Sequence, residues 1–330
     1  MNGVLGENFV SGLARNKHII KKYIYDVIYI IMQINIQLDK YNRCKNKLIN
    51  ENNIELFSNY YLRGNNRKNE KFIYFSSLIG LRDMNEDTHN IIVTNNINMY
   101  GIYDGHGGDF TSKFLSKYLP IYILNNIKKS PLRKKQIISI FDHIQKMLKK
   151  KHRENATKTG STCLICLQYK FDNFDKIISI INLGDSRGII CRNNSAFPLS
   201  KDHKPSWPEE KNRIENLNGK IYFDGFDWRI HDLSVSRAFG DLYAYPHVCQ
   251  TPDVFNYKIS SDDKFIVLAC DGLWDILSNQ DVINYILFLC YNDDLSIRIN
   301  KNLNITKKLA EYAIKKGSTD NVSIIIIFLD

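Results

Sequence analysis

Four apolar stretches of this 330-residue chain each meet carboxylates at one end. FIYFSSLI (72–79) runs on through Arg82 to Glu86 and Asp87. NMYGIY (98–103) is followed by Asp104, Gly105 and His106, and KFIVLAC (264–270) leads to Asp271 and Asp275. Asp320 stands just before NVSIIIIF (321–328). One acid at a strand end is ordinary, because Asp and Gly suit turns. Four such meetings are harder to assign to turns, since apolar runs of this quality are few. Carboxylates brought to one rim of a fold repel unless a cation neutralises them. An oxygen cluster without convergent His or Cys suits a hard ion, Mg²⁺ or Mn²⁺, rather than zinc. Two such ions about 3.5–4 Å apart form the apparatus for in-line displacement at phosphorus. Gly105 lacks a Cβ, so its carbonyl can approach an ion closely. Arg82 offers a planar fork for phosphate oxygens. His106, titrating near neutrality, can protonate a leaving alkoxide. Together these residues point to metal-assisted phosphoester hydrolysis.

Rival chemistries leave no trace. None of the seven cysteines has an arginine six positions later, as a thiolate phosphatase requires. No P-loop ending in Gly-Lys-Ser/Thr occurs, nor a kinase-type HRD or DFG. Cys163 and Cys166 form a CxxC inside the apolar run STCLICLQY. On a strand, residues three apart face opposite sides, so chelation and redox pairing both fit poorly. Scattered cysteines of odd number imply reduced thiols and a cytoplasmic or nuclear setting. The net charge is +10, and residues 1–71 carry twelve Lys/Arg against six Asp/Glu. The basic runs KKSPLRKKQ and KMLKKKHRE read as solvated helix faces, without the aromatic interleaving or reading module of a nucleic-acid binder. VIYIIMQINIQL (27–38) is too short and too amide-rich for a bilayer span, so no transmembrane segment is expected.

The elements that must position the acids begin after residue 70. The first 70 residues are Asn/Lys-rich and end in the linker-like YLRGNNRKNEK. Within them Ile20, Ile24, Val27, Ile31, Ile34 and Leu38 form a helical apolar stripe suited to docking. Residues 71–330 then read as one domain. FIYFSSLI, NIIVT and NMYGIY are strand-like; residues 108–127 and 132–151 read as long amphipathic helices. STCLICLQY, KIISIINLG and GIICRN form a β-rich stretch before the short helix WPEEKNRIENLN. SVSRAFG and KFIVLACDG follow, then helical SNQDVINYILFLC and TKKLAEYAIKK, then the strand NVSIIIIFL. Grouped strands separated by paired helices predict an α+β fold with antiparallel sheets covered by helices.

Nine segments, in order, resemble the metal-dependent, type 2C protein Ser/Thr phosphatases. They are RDMNED (82–87), YDGHGG (103–108), GSTC (160–163), NLGDSRG (182–188), SKDHKP (200–205), EEKNRIENLNG (209–219), LSVSRAFGD (233–241), ACDGLWD (269–275) and GSTDNVS (317–323). The resemblance implies a four-layer α-β-β-α sandwich, two antiparallel sheets flanked by helices, with two Mg²⁺ or Mn²⁺ ions at one edge. Asp104 would be shared by both ions; Glu86 and the Gly105 carbonyl would join one, Asp271 and Asp320 the other. Asp202 and Asp275 match positions for a weaker third ion. Asp87 would orient a metal-activated water that attacks phosphorus in line, Arg82 would hold the phosphate, and His106 would be the general acid. The implied partners are phosphoserine and phosphothreonine proteins, with no nucleic acid, and the chain is expected to be a monomer. A metal-binding pseudophosphatase scaffold would show a lost ligand, and none is lost. Asp185 reads as a turn residue, and Arg237 and Asp241 as structural ties for a loop near the site. His231, Asp232 and the lysine-free GDLYAYPHV depart from the family pattern near the substrate path.

Overall fold

The computed structural model describes residues 73–127, 131–170, 176–292 and 304–329. The apolar stripe at 20–38 and the linker lie outside the described residues. The long apolar runs become two antiparallel five-stranded sheets. The first comprises β1 (Ile73–Leu78), β15 (Val322–Phe328), β14 (Asp263–Ala269), β8 (Arg187–Arg192) and β9 (Ser195–Pro198), in that order. The second runs β13 (Asp253–Lys258), β7 (Ile177–Leu183), β6 (Cys163–Tyr169), β3 (Ile97–Tyr103) and β2 (Thr88–Val93).

Period-two alternation distributes their side chains among three cores. Phe75, Ile102, Leu164, Cys166, Ile266, Leu268, Ile325 and Ile327, drawn from both sheets, pack against one another between the sheets. The alternate residues Phe265, Val267, Ile324, Ile326 and Phe328 face helices α5 (Asp271–Trp274), α6 (Asn279–Cys290) and α7 (Ile305–Lys315). On the other side, Met99, Cys163, Ile165 and Leu167 pack on α1 (Phe110–Asn126), α2 (Lys134–Lys151) and α3 (Arg153–Lys158). The order is helix, sheet, sheet, helix, as the family resemblance implies. Because each sheet is covered on both faces, SIIIIF is buried throughout instead of alternating with polar residues. Cys163 and Cys166 lie in different cores, so the CxxC is ordinary strand alternation. No described helix is long and apolar enough to cross a membrane.

Register explains why the acids converge. Ile324 of β15 pairs with Ala269 of β14, and Val322 with Leu78 of β1, so Asp320, Asp271 and the 79–87 loop share one edge. In the second sheet Thr88 pairs with Tyr103, and Cys163 with Leu183, which brings Glu86, Asp87, Asp104 and Asp185 to that same edge. Small elements finish it. A three-stranded sheet joins β12 (Phe239–Gly240), β5 (Gly160–Ser161) and β4 (Gly105–His106), and a hairpin pairs β10 (Ile221–Phe223) with β11 (Trp228–Ile230). SVSRAFG is strand only at Phe239–Gly240, because Ser236 and Arg237 spend their bonds on the His203 carbonyl and on Glu210 instead of a ladder. Short α4 (Pro208–Asn216) starts on Pro208, whose missing N–H is an orphan donor there anyway. The Lys149–Lys151 run is exposed in the last turn of α2, where positive charge suits the carbonyl end of a helix.

Candidate metal centre

At the shared edge lies a cleft of about 480 Å³ lined by Arg82, Glu86, Asp104, Gly105, His106, Asp185, Asp271 and Asp320, among others. Carboxylate oxygens of Asp104, Asp185 and Asp271 lie within 4.8 Å of one another. Asp87, Asp104 and the Cys270 thiol form a second such group, so Asp104 belongs to both. Glu86 and Asp320 line the cleft outside these two groups. Asp87 is placed behind the cleft, 9% exposed.

The local backbone is fixed mainly by bonds to carbonyls, although the Asn321 N–H also donates to Asp320 Oδ1 at 2.7 Å. Asn321 donates from Nδ2 to the carbonyls of Ile79 (2.8 Å) and Met84 (3.0 Å) and accepts from the Glu86 N–H at 2.8 Å. This one buried amide ties the 79–86 loop to the start of β15. Ser112 of α1 donates to the Glu86 carbonyl at 2.5 Å, and Thr162 N–H donates to the Asp104 carbonyl at 2.8 Å. Gly105 is needed for close approach: a Cβ there would stand 2.4 Å from the Glu86 carbonyl oxygen. Gly107 is needed for its backbone, at φ 69°.

The electrostatics are those of uncompensated anions. Burial, then the charges of Asp271 and Asp87, push the Asp104 carboxyl well above the usual range. Burial, then Asp185 and Asp275, does the same to Asp271, with Lys204 opposing. Burial also raises Asp87 to about 6, against hydrogen bonds from Ser323 and Cys270. Asp87 Oδ2 and Asp185 Oδ1 are buried without a hydrogen-bond partner among the described residues. The counter-charge to this cluster is Lys204, whose Nζ lies 2.6 Å from Asp185 Oδ2, while Arg82 faces Asp320 at the rim. Buried, mutually repelling oxygen donors with unfilled valences fit a hard divalent cation.

Other candidates have defined surroundings. Arg82 Nη2 donates to Asp320 Oδ2 at 2.7 Å, so the expected phosphate holder is paired with an expected ligand. His106 Nε2 lies 2.8 Å from Asp241 Oδ2. Burial works to lower the His106 pKa, but the Asp241 carboxylate outweighs it and raises it. Asp202 is taken up bidentately by Arg187, at 3.0 Å from Nε and 2.5 Å from Nη2. Asp275 is exposed, and neither residue belongs to the two carboxylate groups. Asp185, read as a turn residue, therefore stands in the centre itself, and Asp241, read as a loop tie near the site, meets His106. Asp185 and Asp241 each sit beside a glycine, and that turn signal hid them. His203 holds the Asp185 turn from behind, accepting from Gly184 N–H at 3.0 Å through Nδ1.

A four-layer sandwich whose one edge gathers buried carboxylates beside an open cleft defines the class: a fold with a place for divalent cations. The protein phosphatase 2C family model matches residues 73–322, and the chain belongs to that family. A PP2C-like domain-containing protein of Acanthamoeba polyphaga mimivirus is 48% identical over 167 residues, covering 46% of this chain and 93% of that one. Cattle protein phosphatase 1A is 32% identical over 284 residues, covering 76% and 69%. Probable protein phosphatase 2C 71 of Arabidopsis thaliana is 31% identical over 79% of this chain, which spans 56% of that relative. Among solved structures, a sex-determining protein of C. elegans superposes with a TM-score of 0.70 at 24% identity, over 80% of this chain and 66% of that one. Serine-threonine phosphatase 2C of Toxoplasma gondii gives 0.65 at 20% identity, over 78% and 94%. The two structures share the fold.

Proposed function

We infer that the chain hydrolyses phosphoserine and phosphothreonine in proteins with the help of Mg²⁺ or Mn²⁺. The observation that carries this reading is the convergence of Asp104, Asp185 and Asp271 beneath a cleft that also holds Arg82 and His106. Asp104, Asp271, Asp320, Glu86 and the Gly105 carbonyl would hold the two ions, with Asp185 beside them. Bound there, the ions supply Lewis acidity and make a nucleophilic hydroxide accessible at neutral pH. Arg82, 56% exposed and committed to Asp320 through one amine, keeps further N–H donors for the phosphate oxygens. His106 donates a proton to the serine or threonine oxygen as it departs. Asp87, whose Oδ2 is buried without a hydrogen-bond partner among the described residues, would orient the attacking water. The third-ion reading has less support, because Asp202 is already neutralised by Arg187.

The test is release of phosphate from a phosphothreonine peptide. Turnover is expected only with Mn²⁺ or Mg²⁺, abolished by EDTA, and reduced by orders of magnitude in Asp271→Asn. Folded protein inert across both metal titrations would leave the family fold acting as a scaffold.

A further inference from the structure

Asp241 is only 2% exposed, yet its carboxylate meets His106 across a strand. His106 of β4 and Gly240 of β12 both lie opposite Gly160 of the central strand β5. A Cβ on Gly160 would stand 2.1 Å from Asp241 Oδ2 and 2.2 Å from His106 Nε2. Only glycine at that position lets the two side chains touch. Asp241 reaches the spot from left-handed backbone, φ 44°, a region unfavourable for a residue with a Cβ.

Its carboxylate is not needed to shape the chain there. Gln145 of α2 clamps Gly240, accepting from its N–H at 3.0 Å and donating to its carbonyl at 2.9 Å. The Asp241 N–H donates to the Thr159 carbonyl at 3.2 Å, and the Asp241 carbonyl accepts from Ala244 N–H at 2.9 Å. A turn already closed by backbone and Gln145 spends a strained conformation and a glycine on one contact to an imidazole. With Nε2 engaged, Nδ1 is the ring nitrogen left to serve the cleft that His106 lines.

We propose that Asp241 is the positioning residue of His106, fixing the ring so that Nδ1 delivers the proton to the departing serine or threonine oxygen. This rests on the phosphatase reading above. As the attacking hydroxide oxygen forms its bond to phosphorus, the P–O ester bond breaks with its electron pair going to the leaving oxygen, and the Nδ1 proton passes to that oxygen. The Nε2 proton stays on the bond to Asp241, which remains a carboxylate and touches no substrate. Histidines that act on a substrate or ligand commonly have the second nitrogen oriented in this way.

The experiment compares a phosphothreonine peptide, whose alkoxide needs a proton, with p-nitrophenyl phosphate, whose phenolate does not, in Mn²⁺. Asp241→Asn is expected to lower kcat on the peptide about 10- to 100-fold with KM little changed, and to cost the aryl ester far less. In a His106→Ala background it should add nothing. Gly160→Ala, which forces the pair apart, should reproduce the same selectivity if the circular dichroism spectrum is retained. Independently of turnover, nitrogen-15 NMR of the imidazoles should give a hydrogen-bonded Nε2 proton, assigned by its loss in His106→Ala and displaced in Asp241→Asn. Equal losses on both esters, a further loss in the double variant, or an unmoved Nε2 signal would overturn the role of Asp241. Wild-type protein inert on both esters overturns the phosphatase reading instead. Active wild-type protein with a selective His106→Ala and an unselective Asp241→Asn overturns only the placement of Asp241.

Discussion

Asp104 joins two groups of candidate ligands, one with Asp185 and Asp271 and one with Asp87 and the Cys270 thiol. Burial and the neighbouring acids hold its carboxyl far above the usual range, so ionised Asp104 strains the metal-free fold. Asp104→Asn keeps the shape and removes the charge. At pH 8 without metal, the variant is expected to unfold about 1–2 kcal/mol later than wild type, or roughly 2–6 °C higher. With saturating Mn²⁺ the order should reverse in a thermal melt, while phosphatase activity falls by orders of magnitude. An Mn²⁺ shift as large in the variant as in wild type removes Asp104 from the ion site. Asp104 and Asp271 were legible because each ends an apolar run too good to be accidental. Asp185 and Asp241 were not, since an acid beside glycine is already explained by a turn. Only strand register sets Asp185 against Asp104, and only the missing Cβ of Gly160 lets Asp241 reach His106.

At the scale of elements, α4 is anchored by one buried acid. Glu210 is 3% exposed and accepts from Arg213 at 2.9 Å, Ser236 at 2.8 Å and Arg237 at 2.9 Å. Arg213 and Arg237 also donate to the carbonyls of Ser236, His247 and Thr251, so the network ties α4 to the loop whose Leu233, Ser234 and Val235 line the cleft. Burial alone would raise the Glu210 pKa, but Arg237, then Arg213 and Ser236, bring it down to about 2 from 4.5. A depressed folded pKa gives stability that is present above 4.5 and lost as pH falls toward 2. The shift corresponds to about 3 kcal/mol. Urea unfolding of wild type and Glu210→Gln should therefore differ by about that much at pH 7, with the gap closing between pH 4.5 and 2. A pH-independent gap would mean that Glu210 serves by packing alone. The helix itself was readable from Pro208 and its flanking polar residues, and Arg237 as a loop tie was readable from its motif. Strand β13 was not, because DVFNYK, half-exposed at a sheet edge, shows no apolar run. Its pairing with β7 comes from backbone register that no side-chain pattern announces.

Across the whole molecule, runs such as SIIIIF and STCLICLQY demand cover on both faces, while the two-sheet layer order comes with the family resemblance. The sequence pattern leaves open which ends of those strands coincide, and that coincidence assembles the centre. Asp271 and Asp320 hang from the first sheet and Glu86, Asp87 and Asp104 from the second, with Asp185 on the β7–β8 crossover between them. An ion held by donors from both sheets is therefore a clamp across the inter-sheet core. At a hundredfold excess over its Kd, Mn²⁺ should add about 2.7 kcal/mol to stability, or roughly 5–11 °C in the melting temperature, reversed by EDTA. Leu268 tests the coupling. It is fully buried between the sheets and lies three residues before Asp271 on the strand that delivers it. Leu268→Ala should cost about 2–5 kcal/mol without metal through the cavity it leaves. Because that cavity lets the sheets shift, donors on opposite sheets lose their common geometry, and the Mn²⁺ increment should shrink as well. Ala310, on α7 against the outer face of the first sheet, offers the control. Ala310→Gly should lower stability by about 1 kcal/mol while leaving the increment intact. Calorimetric titration with Mn²⁺ reads both variants directly, and equal affinity in wild type and Leu268→Ala would show that the ion is held from one sheet alone.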